Sequence, residues 1–203
     1  MSNKKIEINS TKLKSEIPEN STNKKKFPVI GIGASAGGLE ALKAFFSNVS
    51  DKSGMAYIVV VHILPNQPSL MPELLQNVTS IPVEAAKDNQ LIEPDHIYVN
   101  TPNQDLTIYK NKIQLMDTVK KGVPHPIDLF FKCLGQDLES YSAAIILSGT
   151  GNDGTLGIKD IKANDGLVLV QSEESSGYTG MPKNAINTGL VDIVLTKIGR
   201  AHV

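Results

Sequence analysis

The chain has a single cysteine, Cys133, in 203 residues. An internal disulfide is therefore excluded, and a reducing cytoplasm is the expected setting. Net charge is almost absent: 20 Lys and Arg stand against 21 Asp and Glu, leaving −1. No bulk field exists to draw in nucleic acid or an acidic membrane, and neither is expected as a partner. Long apolar runs are missing as well. The longest, AYIVVVHIL, falls well short of the ~18 residues of a membrane span and reads as a buried strand. The opening MSNKKIEINSTKLKSEIPEN has no apolar core of a secretory signal. One cysteine and scattered histidines give no metal-ligand spacing, so neither a metal nor an organic cofactor is expected.

What is present is a globular composition, 40% hydrophobic and 20% charged, in a length that suits one domain. Residues 1–26 are polar and lysine-rich and read as a flexible leader, with too little charge bias for a basic binding arm. Residues 198–203, IGRAHV, continue no pattern and read as an artefactual tail on a truncated gene product. The domain is expected at 27–197. Within it, PVIGIG, AYIVVVHI and SAAIILSG read as buried strands, PVEAA as a short strand, and GLVLVQ and VDIVL as two late strands. The segments GGLEALKAFFSNV, PSLMPELLQNV, PIDLFFKCLGQDL, TLGIKDIKAN and MPKNAIN read as helices between them. Near-continuous apolar strands alternating with helices predict a doubly wound, mostly parallel α/β sheet with helices on both faces. HIYVN, LTIYK and KIQLMD alternate apolar and polar residues and read as a small antiparallel unit beside it, with Asn111 in a turn.

The first strand runs into VIGIGASAGG, which admits two readings. Residues 31–38 resemble a loosened phosphate-binding glycine loop, and Gly33-Ala-Ser35-Ala-Gly37 also spells G-x-S-x-G. A dinucleotide site needs an acidic residue at the end of the second strand, and this strand delivers His62 instead. A nucleophile turn needs a base, and His62 is one. It needs an acid to orient the base, and Asp153, in the turn LSGTGNDG after another buried strand, is one. In an open parallel sheet, loops at the carboxyl ends of the strands meet at one crevice, so Ser35, His62 and Asp153 are expected to converge. Each also has an ordinary role open to it: Ser35 as a helix N-cap, His62 as a core histidine, Asp153 as the cap of the helix it precedes. His96 and His125 are rival bases, but neither falls at the end of a parallel strand. The order Ser, His, Asp differs from the Ser, acid, His of the α/β-hydrolases.

GIGASAGG, VVVHILP and LSGTGNDGTLG, in that order, resemble the catalytic domain of the chemotaxis receptor methylesterases, the CheB family. HPIDLFF and SGYTGMPKNAINTGLVD resemble its later segments, so the likeness runs from about Phe27 to Leu195. The resemblance implies hydrolysis of a glutamate γ-methyl ester on a methylated chemoreceptor or other signalling protein. Deamidation of glutamines is a second activity of many members. It assigns Ser35 as nucleophile, His62 as base and Asp153 as its orienting acid. It places oxyanion and substrate contacts at Ala36, Gly37, Thr150 and Gly151. Thr150 stands where the family often has methionine, and Ala36 where it often has threonine. A receiver domain is expected to be missing, and a methyltransferase domain is expected to follow in the complete protein, as in fused methylesterase–methyltransferase regulators. The rival functions are a catalytically silent binding module and a nucleotide-binding regulator using the 31–38 loop.

Overall fold

The computed structural model describes residues 26–63, 69–118 and 125–196. The expected tail, and all but Lys26 of the expected leader, lie outside the described residues. The elements run β1 (Val29–Ala34), α1 (Gly38–Phe46), β2 (Ala56–Val61), α2 (Met71–Gln76), β3 (Val83–Ala85), β4 (Ile97–Val99), β5 (Gln104–Tyr109), β6 (Lys112–Asp117), α3 (Pro126–Leu138), β7 (Ser142–Ile146), α4 (Gly157–Ala163), β8 (Leu167–Gln171), α5 (Gly180–Ile186) and β9 (Ile193–Leu195).

Seven strands form one sheet in the order β3-β4-β2-β1-β7-β8-β9, and every pairing in it is parallel. All residues of β1, β2 and β7 are buried, as strands covered on both faces must be. On one face Ile30, Ile32 and Ala34 of β1 pack with Leu42 and Phe46 of α1 and Leu75 of α2. On the other, Val29 shares a core with Ile127, Phe130 and Leu134 of α3, Ile161 of α4 and Met181 of α5.

The glycines of β1 serve that second face. A Cβ on Gly31 would lie 2.6 Å from Leu134 Cδ2, and one on Gly33 2.5 Å from Ile127 Cγ2. The space they leave is filled by α3, so these two glycines serve packing. Gly37 has a different task. Its φ of +71° closes the turn from β1 into α1, a conformation L side chains rarely adopt.

One expectation is corrected. HIYVN does not join the antiparallel unit: β4 lies in the main sheet, parallel, between β3 and β2. Ile97, Tyr98 and Val99 are all buried, so the alternation was only apparent. Tyr98 hides its ring and lets its hydroxyl accept the Glu93 N–H at 3.0 Å. Asn100, also buried, bonds the backbone of Val61 with both ends of its amide. Only β5 and β6 form the hairpin. Its Lys110–Asn111 turn has both residues at positive φ, the geometry of a type I′ turn. The Asp137 carboxylate of α3 accepts both turn N–H groups, at 2.6 and 2.8 Å.

Candidate active site

The register of the sheet builds the site. β1 and β2 pair with Ala34 opposite Val61, so Ser35 and His62 leave adjacent strands side by side at the carboxyl edge. On the other flank of β1, the Ser35 N–H donates to Ser148 O at 3.0 Å, continuing the pairing with β7 beyond its last strand residue. This is where the strand order reverses, the place a ligand crevice opens in a doubly wound sheet.

His62 joins the other two residues. Its Nδ1 is 3.0 Å from Ser35 Oγ, and its Nε2 is 2.8 Å from Asp153 Oδ2. An ionised carboxylate only accepts, so the ring proton belongs on Nε2 and the Nδ1 lone pair faces the serine hydroxyl. His62 is exposed, not a core histidine, with 35% of its side chain accessible, whereas Asp153 retains 3%. A buried carboxylate needs donors. Asp153 has three in the backbone: Gly154 and Asp128 N–H to Oδ1, both at 2.9 Å, and Ile127 N–H to Oδ2 at 3.1 Å. The last two belong to the first turn of α3, whose positive dipole end favours the charge. Asp153 therefore caps α3, not the helix that follows it. Ser35 does not cap α1 either: the cap is Gly37, with no side-chain bond.

Oxyanion and substrate contacts were expected at Ala36, Gly37, Thr150 and Gly151. Among the described residues, the backbone N–H groups of these four donate to no protein acceptor. The Ser35 N–H is already taken by Ser148, so it is not free to serve. The turn carrying Thr150 and Gly151 is close to the nucleophile, since a Cβ on Gly149 would lie 3.0 Å from Ser35 Cβ. Ser148, buried and not anticipated from the sequence, ties these loops together. Its hydroxyl donates to Ala36 O at 2.8 Å and accepts the Tyr178 N–H at 2.9 Å. A crevice of about 360 Å³ opens beside Ser35 and His62, lined by Leu39, Ile63, Leu70, Met71 and Leu74 and by the polar Glu40 and Ser69.

The rival histidines separate. His96 stacks on Tyr98 and bonds Pro94 O, remote from the row. His125 does reach this end of the molecule, because α3 starts there. Its Nδ1 lies 3.7 Å from Asp153 Oδ1 and 3.8 Å from Asp128 Oδ2. These three residues could face a cation, but Asp153 Oδ1, the oxygen nearest His125, already accepts the Asp128 and Gly154 N–H groups.

A parallel α/β sheet with a serine, a histidine and a buried aspartate bonded in sequence at its carboxyl edge has the build of a serine hydrolase. The chain belongs to the CheB methylesterase family, whose model matches residues 30–200. It is 31% identical over 173 residues to a putative protein-glutamate methylesterase/protein-glutamine glutaminase of Leptospira interrogans, covering 84% of this chain and 89% of that one. A protein-glutamate methylesterase/protein-glutamine glutaminase of the group 3 operon of Rhizobium meliloti is 28% identical, and the match spans 48% of its length. The fold is similar to the crystal structure of the Thermotoga maritima CheB methylesterase catalytic domain, with a TM-score of 0.77 and 26% identity over 84% of this chain and 93% of that one.

Proposed function

We propose that this domain hydrolyses glutamate γ-methyl esters on a protein through a Ser35 acyl-enzyme. The observation that carries the reading is His62 standing in hydrogen-bonding distance of both Ser35 and the buried Asp153. The Ser35 hydroxyl attacks the ester carbonyl as His62 Nδ1 takes its proton. The imidazolium that forms is held by Asp153. The tetrahedral oxyanion is met by free N–H groups of the Ala36–Gly37 and Thr150–Gly151 turns. His62 then returns the proton to the leaving methoxide, and methanol departs. Water, deprotonated by the same ring, adds to the acyl-enzyme, and the collapse frees Ser35 and a glutamate carboxylate. A glutamine amide enters the same sequence with ammonia as leaving group.

The crevice walls fit this order of events. Leu39, Ile63, Leu70, Met71 and Leu74 suit a neutral methyl ester, and Glu40 in the same lining disfavours the charged product by like-charge repulsion. The substrate class is a methylated chemoreceptor or another methylated signalling protein. A cytoplasmic setting agrees with the lone cysteine. Among the described residues no helix is long and apolar enough to cross a membrane.

The test is methanol release from a γ-methylated glutamyl receptor peptide. Wild type is expected to release methanol and Ser35→Ala to release none above background, with its melting transition retained. Full turnover by Ser35→Ala would refute the serine mechanism.

A further inference from the structure

We infer that Asp128, which lies outside the Ser–His–Asp row, is the positioning residue for the row's acid. The inference rests on the reading of Ser35, His62 and Asp153 given above. Two carboxylates are exchanged between two helix starts. Asp153, ahead of α4, accepts the N–H groups of Ile127 and Asp128 at the start of α3. Asp128, in the first turn of α3, accepts the N–H groups of Leu156 and Gly157 at the start of α4, each at 2.8 Å on the same oxygen, Oδ1. The loop that carries Asp153 is therefore pinned to α3 from both sides: by its own carboxylate at one end and by that of Asp128 three to four residues later.

The base of this clamp is rigid because the two helices run almost backbone to backbone. A Cβ on Gly157 would stand 2.8 Å from Asp128 O and 2.7 Å from Phe131 Cβ, and one on Gly135 would stand 2.9 Å from Asp160 O. Neither helix can shift toward the other, so the carboxylate exchange sets the height of Asp153 under His62. Only an acceptor at Asp128 Oδ1 completes it. An apolar side chain at 128 would leave the Leu156 and Gly157 N–H groups without a protein partner, and the Asp153 loop held at one end. The negative charge of Asp128 is not what the clamp uses. Its other oxygen, Oδ2, has His125 Nδ1 at 3.8 Å, beyond hydrogen-bonding length.

The experiment compares Asp128→Asn, which retains an acceptor oxygen, with Asp128→Ala, which does not, both in the full 203-residue chain. One readout is steady-state hydrolysis of the methylated peptide. The other is the rate at which a fluorophosphonate labels Ser35, which needs the row but not the natural substrate. Misplacing a catalytic group by ~1 Å costs on the order of 100-fold. Asp128→Ala is therefore expected to lose roughly 10–100-fold in kcat and in labelling rate, with KM nearly unchanged because substrate contacts are untouched. Asp128→Asn is expected to restore both rates to within about twofold of wild type.

Wild-type rates in Asp128→Ala would overturn the positioning role. Equal losses in Asn and Ala variants would overturn it too, since the charge and not the acceptor would then matter. If wild type is not labelled, or Ser35→Ala is labelled as fast, the serine mechanism itself fails and the positioning role with it. Should Asp128→Ala not fold, amide hydrogen exchange on wild type decides: Leu156 and Gly157 N–H should be protected together with Ile127 and Asp128. Rapid exchange at the first pair alone would overturn the clamp.

Discussion

His62 presents Nδ1 to the serine and Nε2 to the aspartate, the reverse of the chymotrypsin-type triad, in which Nε2 faces the serine. Either nitrogen is competent as the base, provided the other one donates to the acid. The orientation follows from the way the ring enters. His62 comes off the end of β2 beside Ser35, while Asp153 is buried at the start of α3. The neutral ring should therefore carry its proton on Nε2, which two-bond ¹H–¹⁵N correlation spectra would report. A proton on Nδ1 would show that the ring is turned over. Asp153→Asn replaces an acceptor that fixes this tautomer by a group that can donate, and kcat for ester hydrolysis is expected to fall by about four orders of magnitude, as it does in the chymotrypsin-type triad. The base of His62 is held by Asn100, whose amide pairs both backbone groups of Val61 at 3.0 and 2.9 Å. No sequence pattern marks that residue as anything but a strand end.

The packing of α3 on β1 has consequences that a melting curve can read. Gly33→Ala puts a methyl group 2.5 Å from Ile127 Cγ2, and Ile127 N–H is one of the donors to Asp153. Overpacking of this kind costs about 1–3 kcal/mol, so the urea midpoint should fall and kcat with it, as Ile127 is pushed from its place. Unchanged stability would mean that α3 does not lie against β1 as described. The start of the same helix also gives a pH dependence. Burial pushes the Asp128 carboxyl up from its ordinary 3.8, the Gly157 N–H draws it partly back, and the Asp153 charge adds to the rise. The folded chain thus holds that proton more tightly than the unfolded chain. Stability from this group is present below the unfolded value and is lost as pH rises through the raised folded value. Relative to Asp128→Asn, wild type should therefore lose stability over that window, measured by denaturant midpoints at a series of pH values. A wild type that gains on Asp128→Asn as pH rises would contradict the direction.

The sheet order brings Ser35, His62 and the Ser148–Gly151 turn together from β1, β2 and β7, three strands adjacent in the sheet, of which β7 lies far from the other two in the chain. Asp153 then reaches them at the start of α3, a helix the chain enters only after laying down the whole far side of the sheet and the hairpin. Every group in the row, the oxyanion turns and the crevice wall lies between Ser35 and Gly151 or at Asp153. Deleting residues 1–25 removes none of them. Turnover of the methylated peptide should accordingly stay the same after that deletion. A marked rise would show the leader to be a cover over the crevice, and a marked fall would give it a part in substrate docking.

The amino-acid sequence by itself determined the elements and the edge at which chemistry gathers. Runs of β-branched residues ending in glycine, serine, histidine or aspartate are local signals, and they mark strands that deliver Ser35, His62 and Asp153 to one side. Helix α3 was legible to its ends, because PIDLFFKCLGQDL carries both the apolar stripe and the proline at its start. What the tertiary structure alone decided are the partners. The β1 glycines make room for Leu134 and Ile127. β4 is an inner strand, and its Tyr98 and the Asn100 that follows it find hydrogen bonds inside. Asp153 caps α3 and Asp128 caps α4, although each could have served its own helix. Periodicity records which face of an element is apolar. It carries nothing about which distant N–H a buried carboxylate will meet, because that depends on how two helices, joined through a strand, come to lie backbone against backbone.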